Sequence, residues 1–196
     1  MATQTISTEA VKALRDKTGI SVMQCKKALE EAGGDMEKAL VLLRKKGATV
    51  AAKKADRTLA AGAIGSYVHT TGAIGAMVML SCETDFVSNN QEFKDLARDL
   101  AMQVAATSPE FTSFEQVPEE AKKTAREVFT KEVADKPKAM QEKIMDGKLN
   151  AYFKDKALLE QSFIKNPDMT VRDLIQGAIQ KFGEKIEVVK FVRLSL

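Results

Sequence analysis

Between Ile6 and Leu43 apolar side chains return every three or four positions, the period of helices with one buried stripe, and glycines break the pattern twice. Ser7 stands at an N-cap, with Ile6 before it and Val11 after it spaced as a hydrophobic staple; Leu14 extends the stripe until Thr18-Gly19. Ser21 and Gln24 have capping-box spacing at the head of a second helix. Its stripe is Cys25, Ala28, Leu29 and Ala32, and Gly33-Gly34 stops it. Asp35 caps a third helix carrying Ala39, Leu40 and Leu43 as far as Gly47. Three short helices can hide only a small core, which suits a binding module better than a catalytic one.

From Gly62 the period changes to two. Ile64 to Thr70 and Ala73 to Cys82 read as a hairpin around a Thr-Gly turn. Ile74, Ala76, Val78 and Leu80 share one face, and Met77 and Met79 on the other imply that it is covered too. Glu83 to Asn90 is a polar turn. Asn89 and Glu92 are spaced to cap a helix with Phe93, Leu96, Leu100 and Val104 on one face, closed by Pro109. Pro118 opens another helix, with Ala121, Ala125, Val128 and Phe129; Pro137 interrupts it, and helical pattern resumes to about residue 146. Residues 149–165 also read as helical. Thr170 caps a helix with Val171, Leu174, Ile175, Ala178 and Phe182 inward and Gly183 at its end. Ile186 to Leu194 is a β-rich run that can pair with the hairpin.

The fold class expected is α+β: a small three-helix N-terminal domain over residues 1–47, a basic linker over 48–61, and over 62–196 an antiparallel β-sheet core covered by helices. The basic run starts before the linker. Residues 44–57 hold Arg44, Lys45, Lys46, Lys53, Lys54 and Arg57 against one acid, Asp56, around an Ala-rich stretch able to form helix.

Composition narrows the function classes. Of 196 residues, 44% are apolar and 29% charged, enough for a real core in a well-solvated chain. The net charge of +3 is too small to argue for nucleic-acid binding by itself. No stretch approaches the roughly 20 apolar residues of a membrane span, and the first residues have no signal-peptide pattern, so a cytoplasmic location is expected. Cys25 and Cys82 read as buried free thiols, and with His69 the only histidine no metal site or cofactor is expected. Phosphate-cradling glycine loops and nucleophile elbows are both missing, so an enzyme is the weaker class.

One segment is odd. In Cys82-Glu83-Thr84-Asp85-Phe86-Val87-Ser88-Asn89-Asn90 a large aromatic stands in a polar turn. Phe86 either folds back to plug the local core with Asp85 shaping the turn, or is presented outward beside an acid as a binding anchor. Val22 and Met23, taken alone, read as core. The basic run is either a solvated surface or a phosphate contact; with no Trp and only Tyr67 and Tyr152, stacking partners for RNA are scarce, and direct nucleic-acid binding is not expected.

Taken in order, these segments resemble a family. Val11-Lys12-Ala13-Leu14-Arg15 with Thr18-Gly19, then Met23, Cys25-Lys26-Lys27-Ala28-Leu29, Gly34-Asp35 and Lys38-Ala39, is similar to the N-terminal ubiquitin-associated-like domain of bacterial elongation factor Ts. Gly65-Ser66-Tyr67-Val68-His69, Glu83-Thr84-Asp85-Phe86-Val87, Leu158-Leu159-Glu160-Gln161-Ser162-Phe163 and Gly183-Glu184-Lys185-Ile186 continue the likeness over nearly the whole chain. The resemblance implies a non-enzymatic guanine nucleotide exchange factor that binds elongation factor Tu with GDP. Phe86 would be the wedge and Asp85 its polar partner, with Thr84 and Val87 holding the loop. Arg15, Val22, Met23 and Lys26 would form the docking face of the N-terminal domain. Many members carry Met-Met-Asp before the cysteine where this chain has Val22-Met23-Gln24. Longer members have a two-part core and a coiled-coil insertion; the short length here implies a homodimer, formed through the sheet region. A passive binding module and an RNA-binding translation accessory are the competing readings.

Overall fold

The computed structural model describes residues 6–134 and 137–196. Helices α1 (Thr8–Thr18), α2 (Val22–Glu31) and α3 (Met36–Lys53) form the N-terminal head. Each starts on the cap the sequence offers: Ser7, Ser21 and Asp35 accept the N–H of the third residue on. Gly19, Gly33 and Gly34 adopt positive φ between the helices, where a β-carbon would be strained. Val11, Leu14, Ile20, Cys25, Ala28, Leu29, Ala39 and Leu43 close the small core, with Ile6 packed beside it as the staple requires.

Two details of the head differ from the sequence reading. Only half of the capping box at Ser21 forms, because the Gln24 side chain turns away to accept from Gln180 Nε2 at 3.1 Å. And α3 does not stop at Gly47. It runs on to Lys53, six residues into the stretch read as linker. Gly47 is buried where α3 crosses a later helix, α8 (Val171–Phe182); a β-carbon there would touch Gln176 at 3.5 Å, so the glycine serves close helix packing rather than termination.

Strands β1 (Ala61–Val68), β2 (Ile74–Cys82) and β5 (Ile186–Ser195) make an antiparallel sheet in the order β1-β2-β5, so the C-terminal run pairs with the hairpin within the chain. Its inner face, with Ala76, Val78, Leu80 and Val188, packs on α5 (Gln91–Thr107) and α8 (Val171–Phe182). Phe93, Ala97, Leu100, Ala101 and Val104 of α5 are buried there, beside Val171, Ile175 and Ile179 of α8. Gly65 is the point of closest approach: a β-carbon would lie 2.1 Å from the Ala97 carbonyl. The outer face is not covered, contrary to expectation. Met77 and Met79 are exposed there with Ile64, Val68, Val192 and Leu194. The α+β class holds.

A single-turn helix, α4 (Asp85–Ser88), links β2 to α5. Asn90, not Asn89, caps α5, accepting from Glu92 N at 2.9 Å, because Asn89 is used to close α4. Helices α6 (Glu119–Val133) and α7 (Lys138–Lys154) form a hairpin with its own core of Val117, Ala125, Leu149 and Phe153, edged by Phe111, Phe114 and Phe129. The helix read over residues 149–165 ends at Lys154. A 3-10 turn and the small hairpin β3 (Ser162–Phe163) and β4 (Asn166–Thr170) follow. Gln103, fully buried on α5, holds this segment through Gln161 Oε1 at 3.0 Å, Ser162 O at 3.1 Å and Ile164 N at 2.9 Å. Thr170 then opens α8 with a complete capping box to Asp173, and Gly183 ends it at φ 73°.

Candidate partner-binding site

The turn after β2 is anchored on one side and open on the other. Val87 and Ser88 are buried, and the Cys82 thiol donates to Thr84 O at 3.2 Å. Adjacent residues of a helical turn diverge by about 100°, so with Val87 facing the core Phe86 faces out. Phe86 is 85% exposed, and the other phenylalanines are all buried or half-buried. Asp85 is exposed beside it. The plug reading of Phe86 is therefore replaced by the outward one: Val87 does the plugging.

Two carboxylates grip the base of this turn. Glu184, just past the end of α8, accepts Glu83 N at 3.1 Å and Thr84 N at 3.0 Å on Oε2, and the Thr84 hydroxyl at 2.6 Å on Oε1. Glu83 in return accepts Lys185 N at 2.6 Å and pairs with Arg57 Nη1 at 3.0 Å. These donors, the Lys185 N–H first, hold the Glu83 carboxyl below the usual carboxylate range. Burial, helped by the Glu184 charge, pushes the Cys82 thiol up; burial does the same to Cys25. Both thiols are thereby kept protonated and unreactive.

The second group of expected site residues lies on the head. Val22 is 54% and Met23 69% exposed, so neither belongs to the core that each alone suggested. Cys25, Ala28 and Leu29 fill the inner stripe of α2, which leaves the first turn facing solvent. Arg15 and Lys26 are exposed as well, Lys26 in a loose 3.9 Å pair with Glu30.

The basic run is largely occupied by its own protein. Arg44 reaches Asp168 O and Asp173, Lys46 pairs with Glu31 at 2.7 Å, Lys54 donates to Gly183 O at 2.6 Å, and Arg57 binds Glu83. Four of its six cations are thus engaged internally, which leaves a weak footing for phosphate contacts. The His69 ring meets the Tyr67 hydroxyl, at 3.1 Å. Among the described residues no group of three His, Cys, Asp or Glu side chains is placed to hold a metal, and no helix is long and apolar enough to cross a membrane.

The sequence profile described as Elongation factor TS matches residues 4–196. The chain belongs to the elongation factor Ts family. It is 49% identical over 193 residues to elongation factor Ts of Carboxydothermus hydrogenoformans, covering 97% of this chain and 89% of that protein. It is 48% identical to that of Thermotoga petrophila, over 97% of this chain and 96% of that one. With elongation factor Ts of Fervidobacterium nodosum the identity is 46%, over 97% and 98%. Family membership makes the protein a translation elongation factor. The grip on the turn escaped sequence reasoning. Glu83 and Glu184 each stand in a family-like segment, but nothing local indicates that segments a hundred residues apart meet.

Proposed function

We propose that this member of the elongation factor Ts family is a guanine nucleotide exchange factor that binds elongation factor Tu with GDP and promotes GDP release through Asp85 and Phe86. The observation that carries the reading is the 85% exposure of Phe86 at the tip of a turn whose base is held by hydrogen bonds. A protein in water gains nothing by holding a phenylalanine out. A pre-ordered aromatic is what a binding anchor needs, since little entropy is lost when it docks. Phenylalanine offers about 200 Å²; burying the exposed part in a partner is worth about 4 kcal/mol at 25 cal/mol per Å². That is enough to weaken a competing ligand about a thousandfold if spent only in the nucleotide-free state.

The residues divide the work. Val87 and Thr84 hold the turn; Phe86 enters between helices near the nucleotide of the GTPase; Asp85 disturbs the surroundings of Mg²⁺ and phosphate. Mg²⁺ demands near-ideal octahedral geometry, so small displacements of its ligands loosen it. Arg15, Val22, Met23 and Lys26 dock the three-helix head. No covalent step is involved, so the protein acts without being an enzyme. The open outer face of the sheet, with Met77, Met79, Val192 and Leu194, supports a homodimer in which two such faces cover one another.

Linkage provides the test. If the protein weakens GDP binding by some factor, GDP must weaken its own binding to elongation factor Tu by the same factor. Calorimetric titration into nucleotide-free and GDP-loaded elongation factor Tu should give much tighter binding to the former. Equal affinities would leave a passive binding module and overturn the reading.

A further inference from the structure

Three segments distant in sequence are tied together at the base of the Asp85–Phe86 turn. Residues 54–57 leave the end of α3, residues 83–84 enter the turn, and residues 183–185 connect α8 to β5. Lys54 Nζ donates to Gly183 O at 2.6 Å and Lys185 Nζ to Ala55 O at 2.7 Å, stitching the first segment to the third. Arg57 reaches from the first to Glu83 of the second at 3.0 Å. Glu83 and Glu184 cross between the second and third, each accepting backbone N–H groups from the other's segment. Glu184 also takes the Thr84 hydroxyl at 2.6 Å.

Two connections lead from the head to this junction, each through a regular helix. Helix α3 is continuous over 18 residues, about 27 Å, from the head core to Lys53. It also packs along α8 at Gly47, and α8 ends at Gly183, directly before Glu184. The head and the turn therefore share one hydrogen-bonded mount. A wedge needs such a mount: a backbone free to shift by 1 Å would present the Phe86 ring off target, and misplacement on that scale costs up to about a hundredfold in rate for well-positioned groups.

We infer that Glu184 and Arg57 are positioning residues for exchange, fixing Thr84 and Glu83 so that the seating of the head, transmitted through α3 and α8, aims Phe86. The inference rests on the proposed exchange function. It gives the end of the basic run a mechanical role in place of phosphate contact.

The test uses the full chain and fluorescent GDP release from elongation factor Tu across a range of factor concentrations, for wild type, Phe86→Ala, Glu184→Gln, Arg57→Gln and Phe86→Ala/Glu184→Gln. Phe86→Ala calibrates the series: if it leaves release unchanged, the wedge reading itself fails, whatever the other variants do. With that loss in hand, Glu184→Gln should lower the maximal release rate by about ten- to a hundredfold, with the half-saturating concentration within about twofold of wild type, because the docking face is untouched. Arg57→Gln should do the same to a smaller degree. The double variant should be no slower than Phe86→Ala alone, since a residue acting through Phe86 has nothing left to position. Wild-type rates in both single variants, or a double variant slower than Phe86→Ala, would overturn the positioning role. Should Glu184→Gln melt early, Arg57→Gln decides the matter, its side chain being half exposed and outside the core.

Discussion

Phe86 and Phe93 are seven residues apart and chemically identical, and truncating each to alanine should give opposite results. With 85% of Phe86 exposed, about 30 Å² of its roughly 200 Å² is sheltered in the folded protein. At 25 cal/mol per Å² that is at most about 0.75 kcal/mol, and less once a compact unfolded chain is the reference. Phe93 is fully buried between the sheet and α8, its ring edge-on to Phe182 at 6.1 Å between centroids. Phe93→Ala removes that burial and leaves a cavity, a change that costs about 3–5 kcal/mol. Urea denaturation followed by circular dichroism measures both. Phe86→Ala should unfold within about 0.5 kcal/mol of wild type, with an unchanged slope. A loss of several kcal/mol at Phe86 would show the ring plugging the core, and the account of the turn as a presented wedge would fall.

Gly65→Ala should be among the most damaging single-methyl additions: the new carbon would sit 2.1 Å from the Ala97 carbonyl, so α5 must retreat by more than 1 Å from the sheet. A cost of about 3 kcal/mol corresponds to a melting temperature lower by roughly 6–12 °C, and a melting point equal to wild type would refute the close approach. The Glu83 carboxyl is held below its ordinary range by the Lys185 N–H and Arg57, with Lys54 adding to the field. Because the folded form is the stronger acid, this contribution is complete above the unfolded value of about 4.3 and fades as pH falls through the folded one. The stability gap between wild type and Glu83→Gln should therefore be full at pH 7 and close in acid; a gap constant down to pH 3 contradicts the assignment. Met79→Lys, at the centre of the open sheet face, should turn a dimer into a monomer of 21.4 kDa by light scattering at micromolar concentration. A dimer that survives the substitution would place the interface elsewhere.

Much of the fold was legible where a signal is local. Caps at Ser7, Asp35 and Thr170, glycines at 19, 33, 34 and 183, and the period-two hairpin each depend on residues within one turn of each other. Residues 149–165 misled because Leu149, Phe153, Ala157 and Leu158 keep helical spacing; past Lys154 they are buried by long-range partners, with Ala157 bridging to Phe111 and Gln161 held by Gln103. Gly47 misled in the same way, its reason lying in α8 rather than in its own helix. At the site, the residue types of the turn pointed to Phe86, but its direction depended on which of Phe86 and Val87 the core would accept. The Glu83–Glu184 grip spans a hundred residues and has no local trace at all. Nor is the open sheet face legible locally: Met77 and Met79 alternate as residues covered on both faces would, yet both are exposed.

The most direct measurement is the rate of fluorescent GDP release from elongation factor Tu at saturating factor, with wild type beside Phe86→Ala. The account predicts strong acceleration by the wild type and little by the variant, while the variant still binds through its head. Acceleration by both alike would remove Phe86 from the mechanism, and acceleration by neither would leave a protein that docks without moving the nucleotide.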